Sequence, residues 1–351
     1  MPRGWELGGG PGRGPPRRLP GPGPDPRPPR PERLRPRSRD PPPRGPLPTS
    51  SAASGGGPGP PPPMQGDPAT FRAALRGLLT GARFSDVRFL VGQDRREVLA
   101  HRCLLTSRCD YFCQLFSENP GGGSPEEPII LADVPPEAFL MVLEFLYTNS
   151  ITLDRRTVLE VLISALEYGL SELRELCVEF VVQNLDVELV CEALQVAVTF
   201  GLRRLRDSCL NFIESHTQAI LRTPAFHELS PATLIAILRS DRLAVDEVEL
   251  IAATRHWARV SSAVLEHSTA HVAQSVVGEL RLPLLSPSEL SALEEQNRVE
   301  PFIPVQQIAE AWKCHALRRG EALRGVQSRP RKGTAPREHH RYLEAAPKGP
   351  S

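Results

Sequence analysis

A block of sequence recurs thirty-two residues along the chain. Val158 to Phe180 reads VLEVLISALEYGLSELRELCVEF, and Val190 to Phe212 reads VCEALQVAVTFGLRRLRDSCLNF. Glu160/Glu192, Leu162/Leu194, Ala165/Ala197, Gly169/Gly201, Leu170/Leu202, Leu173/Leu205, Cys177/Cys209 and Phe180/Phe212 are identical pairs. Each block reads as a helix, a glycine stop and a second helix. The glycines suit the left-handed position just past a helix end. Leu173, Leu176, Cys177, Phe180 and Val181 form an apolar stripe on the second helix of the first block. Two such hairpins cannot bury both of their apolar faces, because each repeat needs a neighbour. The first must therefore dock on whatever precedes it and the second on helices beyond, with a joint near Asp186.

What precedes is a sheet. In FSDVRFLVGQDRREVLAHRCLLTSRCDYFCQLF, Phe84 to Phe116, Val87, Phe89 and Val91 alternate with Arg88 and Leu90 as in a half-buried strand. Gly92-Gln93-Asp94 is turn chemistry, and Glu97 to Ala100 returns as a second strand. Ser107 reads as the N-cap of a helix with Tyr111, Phe112, Leu115 and Phe116 on its apolar side. Before the strands, Asp67 and Pro68 open a helix whose Phe71, Leu75, Leu78 and Leu79 share one face. After them come a loop (NPGGGSPEEP, Asn119 to Pro128), a strand at Ile129 to Leu131, and a helix from Glu137 to Tyr147 with Phe139, Val142, Leu143 and Leu146 inward. Beyond the repeat, helices are expected at Pro231 to Leu238, Asp246 to Val260, Val272 to Leu280, Ser288 to Glu295 and Pro304 to Leu317.

Composition changes sharply at both ends. Residues 1–63 hold 22 of the 38 prolines and eleven arginines against four acids, a charge of +7. Residues 318–351 carry +6, so subtraction from the overall +1 leaves −12 between them. Neither end holds enough apolar surface to offset its ordering entropy, and both are expected to be disordered arms. Pro28-Pro29-Arg30-Pro31-Glu32-Arg33 is a P-x-x-P-x-R string of the kind an SH3-type groove accepts, and a string that proline-rich sequence also produces by chance. Met64 is an alternative start that would leave the globular part intact. An acidic globule with basic arms does not suit a groove-binding nucleic-acid domain, so no specific nucleic-acid partner is expected.

The N-terminus lacks an apolar signal region and no apolar run approaches a membrane span, so no membrane partner is expected. The seven cysteines then read as reduced thiols in the cytoplasm, with the nucleus as the alternative. His101, Cys103, Cys109 and Cys113 match no common zinc spacing and read as buried, inert groups. There is no phosphate loop, nucleophile elbow or HExxH, so no cofactor, metal or catalytic site is expected and the chain reads as no enzyme.

FSDV, LAHRCLL, YFCQLF, IILADV, PPEAFLMVLEFLYTNSITL and VLEVLISALEYG, in this order, resemble a BTB/POZ domain. The chain from Asp186 to Leu317 resembles the helical BACK domain that follows BTB in Kelch-like proteins. The resemblance implies an α+β fold: a BTB/POZ domain over 64–184, with a small sheet flanked by helices, then an all-α BACK domain over 185–317. The arms would cover 1–63 and 318–351. No Kelch-type blades follow.

The resemblance also implies partners. BTB domains pair through their first helix, which makes Phe71, Leu75, Leu78 and Leu79 the expected homodimer face. Asp86 and Arg102 match the acidic and basic residues at the floor of the dimer groove, where they are expected to be desolvated. The cullin-facing surface would fall on Tyr111, Leu115, Phe116 and Glu118. Relatives that bind cullin-3 often carry a hydrophobic-x-Glu signature just past that helix, where this chain has Pro120-Gly121-Gly122. Phe116-Ser117-Glu118 has the right chemistry earlier in register. Two readings stay open: an adaptor that brings an unknown substrate protein to a cullin-3 ubiquitin ligase, and a dimeric scaffold that binds no cullin.

Overall fold

The computed structural model describes residues 66–118, 121–124, 127–317 and 328–342. The arm over 1–63, its Pro28 to Arg33 string and Met64 lie outside the described residues.

Helix α1 (Pro68–Gly81) begins where Asp67 accepts the backbone N–H groups of Ala69 and Thr70, with proline in the first turn. Strands β1 (Val87–Val91) and β2 (Arg96–Ala100) pair antiparallel through a tight turn. Strand β3 (Ile129–Leu131) adds parallel to β1, giving the order β2-β1-β3. Val87, Phe89 and Val91 are buried in alternation, as a one-sided strand requires. The Phe89 ring meets Phe139 at 5.2 Å and Phe112 at 6.0 Å, both edge-on. Gly123 comes so close to β1 that a β-carbon there would lie 2.6 Å from Val87 Cγ2, and its φ is +86°.

Helices α2 (Arg102–Arg108) and α3 (Asp110–Glu118) follow β2. Ser107 is not the cap between them. It lies inside α2, where its hydroxyl donates to Leu104 O at 3.0 Å. The break falls at Cys109, in extended conformation at φ −149° and ψ 116°. The thiols also differ from the expectation: Cys109 is buried, but Cys103 and Cys113 are exposed. Helix α4 (Pro136–Thr148) buries Phe139, Val142, Leu143 and Leu146.

The repeat folds as two hairpins, α5 (Val158–Glu167) with α6 (Ser171–Gln183) and α7 (Val190–Thr199) with α8 (Arg203–Ser215). Gly169 and Gly201 hold φ of +70° and +69°. Past them Leu170 N–H donates to Ala165 O and Leu202 N–H to Ala197 O, each at 2.8 Å. The equivalence starts earlier than the apolar pattern shows. Asp154 caps the entry to α5 through Arg156 and Thr157 N–H, and Asp186, thirty-two residues on, caps α7 through Glu188 and Leu189 N–H. Leu176 is 43% exposed and does not belong to the apolar stripe. Helix α5 packs on α4 and α7, and α6 on α8, so the first hairpin joins the sheet-bearing part to the second.

Two short turns not expected from the pattern, α9 (Thr217–Ile220) and α10 (Pro224–His227), precede α11 (Pro231–Leu238). Helix α7 packs against both α10 and α11. The long α12 (Glu247–Leu265) buries Trp257, whose indole N–H donates to Leu229 O at 2.7 Å. The single helix expected over Val272 to Leu280 is instead α13 (Thr269–Ala273) and a separate 3-10 turn, Val277–Glu279. Helix α14 (Pro287–Val299) starts on a capping box of Ser286 and Glu289. Helix α15 (Val305–Leu317) follows.

The expectation of a disordered tail does not hold for residues 328–342. They lie against α12, α14 and the turns between them, held by polar contacts that leave no apolar periodicity in the sequence.

Candidate interaction surfaces

On α1 no residue is buried. Leu75, Leu78 and Leu79 are half-buried against the core, while Phe71 is 66% exposed. The four expected face residues thus divide between a side packed towards α4 and a wet rim.

Asp86 and Arg102 meet, but in another way than as a desolvated pair. Asp86 is exposed and accepts the backbone N–H of Arg102 at 2.7 Å, at the start of α2. The half-buried Arg102 side chain turns to Gly122 O and lies over the Phe116 ring at 4.8 Å. That contact helps close Phe116 off. The ring is buried and stacked near Phe112, so it supports α3 from within and offers nothing to a partner in this state. Tyr111 is half-buried beside Tyr168 at 4.8 Å, tying α3 to the first hairpin. Leu115 is half-buried and Glu118 exposed. Of the four α3 candidates, only Glu118 is exposed, and Tyr111 and Leu115 both pack against the core.

The thiols of Cys177 and Cys209 occupy matching places in the two hairpins. Burial pushes each up to about 12, which leaves them protonated and inert at neutral pH. Among the described residues no group of three or more His, Cys, Asp or Glu is placed to hold a metal ion, and no helix is long and apolar enough to cross a membrane.

The C-terminal strap supplies the densest polar network. Arg331 is fully buried. Its Nε donates to Glu247 Oε2 at 3.0 Å, Nη1 to the carbonyls of Leu238 and Ser240, and Nη2 to Glu279 O at 3.0 Å. The other Glu247 oxygen accepts Arg281 N–H at 2.6 Å, and the Arg281 guanidinium reaches Asp241 and Arg329 O. Gly333 threads against the chain at Val245, where a β-carbon would lie 1.9 Å from the backbone nitrogen. Arg337 bridges Asp246 and Glu289. Its hydrogen bond to Asp246, with that to Glu289, raises the guanidinium above its ordinary value against the pull of burial. Burial alone would raise both carboxyls, but the Arg337 and backbone hydrogen bonds outweigh it and hold them below their ordinary range.

Profiles of known families match this architecture. The BTB/POZ domain profile matches residues 75–185, and the BACK profile, described as BTB And C-terminal Kelch, matches 190–295. BTB/POZ domain-containing protein 19 of Bos taurus is 65% identical over 281 residues, covering 80% of this chain and 96% of that protein. The chain belongs to the BTB–BACK family. The protein of the same name in Homo sapiens is 64% identical over 281 residues, covering 80% of this chain and 96% of that protein. BTB/POZ domain-containing protein 9 of Homo sapiens is 32% identical over 61% of this chain but only 34% of that protein.

As a BTB–BACK protein, the chain has Asp186 between the two matched domains, where its carboxylate both caps α7 and pairs with Arg155. The strap lies beyond the residues matched to BACK and was missed by sequence reasoning. The available signal was Glu247 and Arg281, charges set among the apolar residues of RLAVDEVELIAA and ELRLPLL, since buried charges need partners. Members of the BTB–BACK family are in general interaction adaptors rather than enzymes.

Proposed function

We propose that this chain is a homodimeric adaptor that delivers a client protein to a cullin-3 ubiquitin ligase. The observation that carries the reading is α1, which packs on α4 with one side only, keeps Phe71 wet and buries none of its residues. An apolar helix face left partly open on a folded chain fits a second copy of that face. The exposed Glu118 and the half-buried Leu115, with Tyr111 braced on the first hairpin, favour α3 as the cullin-facing edge. The chain needs no cofactor for this role. Its client would be held by BACK or by the arms.

A second reading, a dimeric scaffold without cullin, is favoured by the burial of Phe116 and by Pro120-Gly121-Gly122 where a hydrophobic-x-Glu would be expected. Titration calorimetry of the full chain against the cullin-3 N-terminal domain separates the two. Binding in the nanomolar to low-micromolar range, roughly −12 to −8 kcal/mol, supports the ligase adaptor. No heat and no co-elution at tens of micromolar leaves the scaffold.

A further inference from the structure

A cleft of about 630 Å³ runs between α12 and α14, in the size range of ligand sites. Val248, Ile251, Leu293 and Val299 give it aliphatic walls, and Arg255 and Arg259 contribute from α12. Val299 is 88% exposed at its rim.

Arg255 is the anomaly. The residue is only 7% exposed. Its Nη1 donates to Gln296 Oε1 at 2.8 Å, and its guanidinium lies over the Phe302 ring at 5.4 Å. Nε and Nη2 are buried without an acceptor. Those two nitrogens form the edge on which a guanidinium takes a carboxylate through two parallel hydrogen bonds. The neighbouring carboxylates are already engaged. Glu300 receives both Nε and Nη2 of Arg259, and Glu289 receives both from Arg337. Burial accordingly pulls the Arg255 guanidinium below its ordinary value, with Glu300 opposing from a distance. One desolvated cation is left over beside an aliphatic cleft, and a charge so placed is costly without a partner.

We propose that the α12–α14 cleft is a docking site for a partner peptide bearing a glutamate or aspartate between aliphatic side chains. The carboxylate takes the Nε/Nη2 edge of Arg255, and the aliphatic groups lie on Val248, Leu293 and Val299. The two donors are covered in the empty chain, so a side chain of the wall must turn aside on binding. The site would serve client capture under either reading of the function and does not depend on cullin.

The test uses the full chain with labelled methyl groups, titrated with N-acetyl-Leu-Glu-Leu-amide and with its Leu-Gln-Leu counterpart and followed by NMR. The glutamate peptide should shift the Val248, Leu293 and Val299 methyls and the Arg255 Nε–H saturably, at least about tenfold more tightly than the glutamine peptide. Arg255→Lys, which keeps the charge but not the fork, should abolish the preference. Val299→Glu, at an exposed position that the fold does not need, should weaken the glutamate peptide about tenfold. Equal affinity for both peptides, or no saturable shift at these methyls at millimolar peptide, overturns the proposal. An unchanged preference in Arg255→Lys, or an unchanged affinity for the glutamate peptide in Val299→Glu, does the same. No cullin is present in this assay, so its outcome is independent of the calorimetry above.

Discussion

Arg331 and Glu247 face each other at 3.0 Å with neither side chain exposed, although 84 residues separate them in the chain. Each is the other's condition for burial. Removing one partner of such a pair costs more than the pair contributes, because the remaining charge stays desolvated. Arg331→Met should therefore lower stability by about 3–5 kcal/mol in urea unfolding. The double change Arg331→Met with Glu247→Leu should recover the part of that loss due to the unpaired charge, but not the part due to the Leu238, Ser240 and Glu279 carbonyls and the Arg281 N–H, which stay without partners. A single variant as stable as the parent would show that the strap does not hold Glu247 in solution.

The same strap should loosen in mild acid. The His315 and His339 rings meet at a tilt, 4.4 Å apart, and burial pushes both below the ordinary histidine value of 6.5. A base with a lowered folded value binds its proton more readily when released. Its contribution is thus fully present above about 6.5 and is lost as pH falls below it. Asp246 and Glu289, held below their ordinary 3.8 and 4.5, add a further loss only at lower pH still, as they are protonated. Lys332 and Gly333 N–H donate to Asp241 O and Leu243 O, both at 2.9 Å. Their hydrogen exchange, corrected for intrinsic rate, should be less protected at about pH 5.5 than at about 7.5. Equal protection at the two values would contradict this.

Phe71→Glu should separate a dimer without harming the protomer. The side chain is mostly wet in the single chain, so the substitution should change monomer stability by less than about 0.5 kcal/mol. Light scattering should then give a parent mass of two chains and a variant mass of one. A parent that is monomeric at micromolar concentration would remove the dimer from the proposed function.

Asp86→Ala should cost about 1 kcal/mol, the scale of a lost hydrogen bond at a helix start. Asp86→Asn keeps an acceptor oxygen and should cost less than half of that. A loss of several kcal/mol for either would mean that Asp86 is desolvated in the assembled dimer, as the family resemblance implies, rather than exposed as in the single chain.

The parts of the fold that were legible in the sequence are those set by local spacing. The alternation of Val87, Phe89 and Val91 announced β1, and Gly169 and Gly201 announced the hairpins because only a left-handed residue serves there. Ser107 misled because a good capping residue sat two positions before a break that Cys109 makes by backbone conformation alone. Phe116 was read as a partner-facing residue because its cover comes from Arg102, whose approach depends on the tertiary path of the Gly122 loop. The strap left no periodic trace at all. Its order comes from two arginines meeting acids far back in the chain, a relationship that composition reads as solvated charge.

Gly333, wedged against Val245, also fixes where the chain comes to rest. A label, tag or fused domain joined after residue 342 would be tethered beside Pro283, Leu284 and the His315 end of α15, where His339 and His340 come to rest. Tension applied through that attachment would load the Arg337 bridges to Asp246 and Glu289 first and the Arg331–Glu247 contact next, before it reached the helical hairpins, so the C-terminal handle reads out the strap alone until the strap gives way.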